Sequence, residues 1–494
     1  MAQCTVRTGT LVGVEAVPVE VQVDVGAGLP TFAIVGLGDL AVQEARERVR
    51  SAVRASGFDL PNARVVVNLA PGPLRKHGTG FDLPIAIGLL VATGQLPRTL
   101  ADGFSAVGEL ALDGTLRAVP GMLAHALGAR ALGLPLLGPA EAWEAACLEG
   151  IDYRPLSRLS AVRGSIPARC EIRLPIRMPE QIECDFLEVA GHELAKRALL
   201  IAAAGGHNAL MIGPPGSGKT MLARRLPSIL PPLDAEESLQ TALVHSVAGV
   251  DERAVLSGRR PFRAPHHSAS IAGLVGGGSP ARPGEASLAH NGVLFLDEMP
   301  EFGPAALQAL RQPLEDGFIT LVRVEGRMVF PARFALVGSA NPCPCGFLGD
   351  PNRRCTCSAT LIDRYRGRIG GPLMDRIDLV VDVARIDPSL LLTRATGEGS
   401  ASMLQRVLEA RERAAARGLG STATLTGALL LQACALDSRA RRSLESVARL
   451  KCLSGRGVTR LLRVARTAAD LDGSEAVRSE HISEMLGYRA KEES

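Results

Sequence analysis

Gly213-Pro214-Pro215-Gly216-Ser217-Gly218-Lys219-Thr220 follows the apolar run Ala209 to Ile212 and precedes the helix-compatible stretch Met221 to Leu226. The spacing is G-x-x-x-x-G-K-S/T between an expected strand and an expected helix. Glycines let backbone N–H groups curl around an anion with no Cβ in the way, and a helix start presents its positive dipole end. Lys219 suits the β- and γ-phosphates of a nucleoside triphosphate, and Thr220 suits Mg²⁺. A second apolar run, Gly292 to Leu296, ends in Asp297 and Glu298. There Asp297 would hold the Mg²⁺ shell and Glu298 would act as general base on the attacking water. A third run, Phe334 to Ala340, closes on Asn341, which suits a γ-phosphate sensor placed between the other two strands. Arg376, in Gly371-Pro372-Leu373-Met374-Asp375-Arg376-Ile377-Asp378, occupies a turn before the strand-like Leu379 to Val383. An arginine can stabilise charge on a transferring phosphoryl group, from its own subunit or a neighbour. A structural Arg–Asp pair is the plainer alternative. The constellation predicts nucleoside-triphosphate hydrolysis.

Four cysteines form two C-x-C pairs, Cys343 with Cys345 and Cys355 with Cys357. Four thiolates on a short loop make a closed tetrahedral set for structural Zn²⁺. Free thiols and redox-labile disulfides are the alternatives, the latter disfavoured in a reducing compartment. The other six cysteines, at positions 4, 147, 170, 184, 434 and 452, read as small buried hydrophobes. His266-His267 has no nearby cluster to complete a metal site, so loop packing or subunit contact is expected.

The chain that must position these groups has 494 residues, room for about three domains. Its 55 Lys/Arg against 51 Asp/Glu leave a net charge of +4, so any nucleic-acid contact must come from local patches. With one Trp, three Tyr and twelve Phe, recognition by rows of base-stacking rings is excluded. A hydrophobic share of 46% excludes a disordered chain. Arg7 and Glu15 flank a short apolar run that is no signal peptide, and a cytoplasmic protein without membrane segments is expected. Residues 1–165 alternate strands and helices: Val19 to Val25 has period two, Ala41 to Ser56 is an amphipathic helix ended by Gly57, Arg64 to Leu69 is a strand, and Leu83 to Thr93 is a buried helix. Residues 166–183 form a proline-stiffened linker. Residues 184–385 carry the phosphate chemistry and the cysteines. Residues 386–494 are Ala/Leu/Arg-rich and helical in period, with a further linker at 396–400.

The order of motifs resembles the AAA+ superfamily in its magnesium-chelatase-like branch. Arg260-Pro261-Phe262-Arg263-Ala264-Pro265-His266-His267, Ser287-Leu288-Ala289-His290-Asn291-Gly292 and Ala340-Asn341-Pro342-Cys343-Pro344-Cys345-Gly346 narrow it to the ComM/YifB family of bacterial competence-associated ATPases. That resemblance implies an α/β fold: an N-terminal Lon-protease-like α+β domain, an AAA+ P-loop core and a C-terminal helical lid. By the same resemblance Asn341 is sensor 1, Arg376 a trans-acting arginine finger and Arg456 sensor 2, with Arg460 the second choice. Ile369-Gly370 departs from the Leu-Ser expected there. An arginine finger implies a ring, a homo-hexamer with ATP and Mg²⁺ at each subunit interface. Lys76 to Asp82 and Gly108 to Gly114 resemble Lon segments, yet Gly80 stands at the serine position and Leu123 at the lysine position. Ser–Lys proteolysis is thereby excluded, leaving an assembly or DNA-facing platform. The Gly-rich loop Ser268 to Pro283, and a hairpin Ile319 to Val329 with Arg323 and Arg327 near its Glu325-Gly326 turn, are candidate pore elements for backbone phosphates. The resemblance implies DNA as the track and helicase-like branch migration in recombination or natural transformation, with recombination or uptake proteins as partners. The alternative is a chelatase-type subunit that remodels a partner protein during Mg²⁺ insertion into a porphyrin. A nucleotide-gated DNA scaffold without turnover conflicts with the intact Asp297, Glu298 and Arg376.

Overall fold

Two long strands, Ala2–Val12 and Glu15–Gly26, open the chain as an antiparallel hairpin. In the second, Val19, Val21 and Val23 are buried while Glu20 is exposed, the period-two pattern of a half-buried strand. The structure, a computed structural model, describes residues 2–164, 166–170, 184–323, 326–351, 353–386, 397–419 and 422–488. Most of the expected proline-stiffened linker, Glu325 of the expected hairpin turn, and Thr396 of the second linker lie outside the described residues. The front sheet has seven strands, in the order Thr31–Val35, Arg64–Ala70, Glu15–Gly26, Ala2–Val12, Ser105–Ala106, Leu136–Pro139, Tyr153–Leu156. The helix Leu40–Ala55 is capped by the Asp39 side chain, which accepts from Val42 N–H. Asp82–Ala92 is buried along its whole length, which explains why its sequence shows no polar face.

The second sheet is parallel throughout, in the order Phe262–Arg263, Val293–Leu296, Ala335–Ala340, Ala209–Ile212, Leu379–Asp382. Its strands are apolar runs because both faces are covered. One face packs on Glu193–Gly205 and on the C-terminal helices Ser400–Ala416, Gly427–Cys434 and Gly455–Leu471. The other packs on Pro304–Ala309 and the segment around Leu373. The C-terminal part is helical, as its period predicts. Helix Ser438–Leu450 buries Ala440, Leu444 and Val447 and exposes Arg439, Arg442 and Arg449. Arg466 is fully buried and compensated: it pairs with Asp470 and donates to the carbonyls of Ala433, Ser474 and Glu475.

The front part docks on the second through the helix Ala235–Ala248. Gly121 N–H donates to Ser246 O at 2.8 Å, and Leu123 packs with Leu233, Ala242 and Val255. The expected hairpin is present as Phe318–Arg323 paired antiparallel with Gly326–Pro331. Its base is not free: Met328 and Phe330 pack on Ala124, Val247, Leu11, Val12 and Val14. Ser268 to Pro283 is not a plain loop, because Ser270 caps a short helix, Ile271–Val275. The scattered cysteines also need correction: Cys4, Cys147 and Cys434 are buried, but Cys170 and Cys184 are half-buried and Cys452 is exposed. Among the described residues no helix is long and apolar enough to cross a membrane.

Candidate nucleotide site and cysteine cluster

Strand Ala209–Ile212 delivers the chain to Gly213, whose N–H donates to Ala340 O at 3.1 Å. A Cβ on Gly213 would collide with Val383 O, so only glycine lets the strands close here. Gly216 and Gly218 hold φ of 76° and 86°, the left-handed turn that opens the loop into a cradle. Lys219 is 8% exposed, and its ammonium donates to Gly213 O (2.7 Å), Pro214 O (3.0 Å) and Asn341 Oδ1 (3.3 Å). Burial lowers its pKa, and Asp297 and Glu298 oppose that shift. Ser217 Oγ is buried with no hydrogen-bond partner among the described residues. An orphaned hydroxyl inside a glycine cradle beside a lysine fits an anionic phosphate.

Thr220 Oγ1 donates to Asp297 Oδ2 at 2.9 Å, which joins the two motifs expected to share Mg²⁺. Strand Val293–Leu296 is wholly buried, Asp297 is half-buried and Glu298 is exposed. Glu298 holds φ of 51°, a left-handed conformation costing a non-glycine residue about 1–3 kcal/mol. What holds it there is Ser339. The Ser339 hydroxyl donates to Asp297 Oδ1 and accepts the Glu298 N–H at 3.0 Å. Buried Tyr365 lies by the Asn341 backbone, and burial pushes its pKa up to about 12. Ser339 and Tyr365 were not among the residues singled out from sequence. A hydroxyl near the end of an otherwise apolar strand was the available signal for Ser339. His192 was also missed; it holds φ of 60°, and its Nε2 lies 3.3 Å from where a Gly218 Cβ would stand.

Arg376 does not join this cradle. Its carbonyl O accepts the Asn208 side-chain amide at 2.8 Å, at the opposite end of strand Ala209–Ile212 from the phosphate loop. At about 3.3 Å per residue, that is roughly 15 Å away. Its guanidinium pairs with Glu315 and donates to Pro372 O, and Arg376 Nε is buried without a partner among the described residues. Burial lowers the Arg376 pKa, followed by the nearby charges of Arg311 and Arg456. Arg456 is exposed at the start of helix Gly455–Leu471, near enough for its charge to act on Arg376. Arg460 is bound structurally, donating to Met374 O and Ile377 O at 3.0 and 2.9 Å.

The four cysteines converge. Their Sγ atoms all lie within 4.8 Å of one another, with Cys343–Cys345 at 3.3 Å and Cys343–Cys355 and Cys345–Cys355 at 3.6 Å. A tetrahedral Zn²⁺ with Zn–S near 2.3 Å requires S···S of about 3.8 Å, so the donor set fits. Backbone N–H groups of Thr356 and Phe347 draw the Cys345 thiol down to about 6, while Cys355 and Cys357 are pushed up beside the neighbouring thiols, so without a metal the four share fewer than four negative charges. The cluster touches the phosphate loop. A Cβ on Gly346 would stand 2.6 and 2.8 Å from the ring carbons of Pro215. His266 and His267 are exposed, their rings tilted 34° to each other with centroids 4.1 Å apart, and His266 Nδ1 bonds Ser268 Oγ at 2.8 Å. The two candidate pore elements are neighbours, with Arg323 Nη2 3.5 Å from the position of a Gly277 Cβ. In the front part, Leu123 is fully buried, and a Cβ on Gly80 would stand 3.1 Å from Val107. Thr79 Oγ1 bonds Glu109, and Lys76 is buried on Pro71 O.

Comparison with known proteins agrees with this geometry. Residues 185–391 match the family described as magnesium chelatase, subunit ChlI; residues 21–140 match subunit ChlI of Mg-chelatase, and 397–489 the ChlI C-terminal family. The uncharacterized protein YifB of Escherichia coli (strain K12) is 42% identical over 495 residues, covering 99% of this chain and 97% of YifB. The competence protein ComM of Haemophilus influenzae is 42% identical over 501 residues, covering 99% of this chain and 98% of ComM. The magnesium-chelatase 67 kDa subunit of Chlorobaculum tepidum is 29% identical over 168 residues, 32% of this chain and 23% of that subunit. With its glycine cradle, acidic strand and sensor strand in one parallel sheet, and with likeness to YifB and ComM along nearly its whole length, the chain belongs to the ComM/YifB family of magnesium-chelatase-like AAA+ proteins.

Proposed function

We propose that this protein is a ring-forming, Mg²⁺-dependent ATPase of the cytoplasm that drives translocation on DNA, as a homo-hexamer performing branch migration in recombination or natural transformation. The observation that carries the ring is the position of Arg376, roughly 15 Å from its own phosphate cradle at the strand rise and at the far end of the sheet. The DNA reading draws on likeness to a competence protein over 98% of that protein's length. In the site, Lys219 and the cradle from Gly213 to Thr220 bind the phosphates. Thr220 and Asp297 would hold Mg²⁺, which would supply charge neutralisation. Glu298 takes the proton of the attacking water, Asn341 orients the γ-phosphate, Arg376 serves the neighbouring subunit's nucleotide, and Arg456 acts as sensor 2. Cys343, Cys345, Cys355 and Cys357 hold a structural Zn²⁺ that braces the loop against Pro215. The front segment is a platform, since Gly80 and Leu123 supply neither nucleophile nor base.

The test is ATP hydrolysis measured with and without forked DNA. Several-fold stimulation is expected. The match to the ChlI family favours a second reading, a chelatase-type subunit remodelling a partner protein. Hydrolysis indifferent to forked, single-stranded and duplex DNA would discard translocation in favour of that reading.

A further inference from the structure

Asn208 lies just before strand Ala209–Ile212 and is spent on two other segments at once. Its side-chain NH₂ donates to Arg376 O at 2.8 Å, and its side-chain carbonyl accepts Leu336 N–H at 2.8 Å. Leu336 is the second residue of strand Ala335–Ala340, which closes on Ser339 and Ala340 and leads into Asn341. One planar amide therefore ties the turn carrying Arg376 to the strand carrying the γ-phosphate sensor. The backbone reinforces the junction. Asn208 N–H donates to Asp378 Oδ2 at 3.2 Å, and Asp378 N–H and Leu379 N–H both donate to Asn208 O, at 2.9 and 3.0 Å. The preceding residue extends it to the lid: fully buried His207 places Nδ1 3.4 Å from Asp378 Oδ2 and Nε2 2.8 Å from Thr467 Oγ1 on helix Gly455–Leu471.

That amide meets the Arg376 backbone alone, and Arg460 pins the same turn through Met374 O and Ile377 O. The Arg376 guanidinium has Glu315 and a carbonyl as partners, with Nε unpaired among the described residues, while the charges of Arg311 and Arg456 act against it. The direction of a guanidinium on such a short turn depends on where its backbone is pinned. Only an amide supplies a donor and an acceptor from one branch point at this reach; a carboxylate keeps the acceptor and loses the donor.

We propose that Asn208 is a positioning residue for the arginine that acts on the neighbouring subunit, coupling the sensor strand of one ATP site to hydrolysis in the next. The proposal rests on the trans reading of Arg376. Its consequence is specific. Asn208 is covalently next to its own P-loop strand, so a merely structural defect would impair the subunit's own site. A positioning defect impairs the neighbour's.

Asn208→Asp retains the acceptor for Leu336 N–H and sets an oxygen against Arg376 O. A misplacement of about 1 Å at a catalytic group can cost about 10²-fold in rate. The uniform Asn208→Asp ring is therefore expected to lose roughly 10–100-fold in kcat, with ATP affinity unchanged. Mixing decides whose site is affected. Asn208→Asp chains, with an intact P-loop, are mixed with Lys219→Ala chains, which have an intact Asn208 and Arg376 but no phosphate lysine. Hydrolysis should recover at interfaces where the Lys219→Ala chain supplies the arginine. Arg376→Ala mixed with Lys219→Ala is the control for the trans reading. Recovery in the control but none with Asn208→Asp would overturn the positioning role and assign Asn208 to its own strand. No recovery in either, despite co-assembly, would overturn the trans reading and this proposal with it. The double variant Asn208→Asp/Arg376→Ala should be no slower than Arg376→Ala, since both act through one guanidinium; an additive loss would refute the link. If Asn208→Asp loses ATP binding, Asn208→Ala, which adds no carboxylate beside Asp378, goes through the same mixing, and absence of recovery there counts as refutation.

Discussion

Gly346→Ala tests whether the cysteine loop sets the shape of the phosphate cradle. Gly346 has φ of +83°, and its added methyl would stand 2.6 Å from Pro215 Cδ and 2.8 Å from Cγ. Ordinary carbon contacts are about 3.5–4.0 Å, so roughly 1 Å must open between two stiff segments. Such overpacking costs about 1–3 kcal/mol, on top of about 1–2 kcal/mol for the left-handed backbone. Gly349 separates the two effects. It lies on the same loop with φ of +77°, and nothing stands within 4 Å of its added Cβ. Gly349→Ala should lower the melting temperature and leave ATP affinity alone. Gly346→Ala should lower both, weakening ATP binding by about 5–30-fold if 1–2 kcal/mol reaches the cradle through Pro215. The assay is titration with a fluorescent ATP analogue, alongside metal content and thermal melts. Equal ATP affinity in both variants, with both folded and equally loaded with metal, would refute the coupling.

Glu298→Gln should bind ATP normally and hydrolyse it about 10²–10⁴-fold more slowly, since it keeps the shape and removes the base; near-normal turnover would remove Glu298 from that role. Elemental analysis should find about one zinc per chain, lost in Cys343→Ser/Cys355→Ser; folded, active protein without zinc would dismiss the metal site. Glu252, at the cleft between the front part and the core, is pushed up to about 7 by burial, with Glu144 adding to the shift. Its folded pKa lies above its ordinary value, so the folded chain binds the extra proton and stability declines as pH rises through that window. Glu252→Gln should lose less melting temperature than the unsubstituted chain between about pH 5 and about pH 8. Trp143, the only tryptophan, lies in the same cleft with Arg253 5.5 Å from its ring and should report the change by fluorescence. Equal pH responses would count against the assignment.

The nucleotide chemistry was legible in sequence because each of its parts is local. A glycine cradle with its lysine and threonine needs eight consecutive residues, and an apolar run ending in Asp297-Glu298 or Asn341 declares both a buried strand and its polar end. The four cysteines were legible for the same reason: within Cys343 to Cys357 the loop is short enough to bring them together. The α/β core followed from the resemblance carried by these motifs, and the helical C-terminal part from its period. What the sequence could not reveal are contacts between residues far apart along the chain. The Ser339 hydroxyl matters because Leu296 lies in register with Gly338, which sets Ser339 beside Asp297 and Glu298. Gly346 matters because its turn closes on Pro215, and Asn208 because its amide lands between Arg376 and Leu336. Arg376 could be read from sequence as a candidate arginine for phosphate, but its distance from this chain's own cradle could not. Strand direction decides that distance: the residue before a parallel strand stands at the opposite end of the sheet from the loop that follows it.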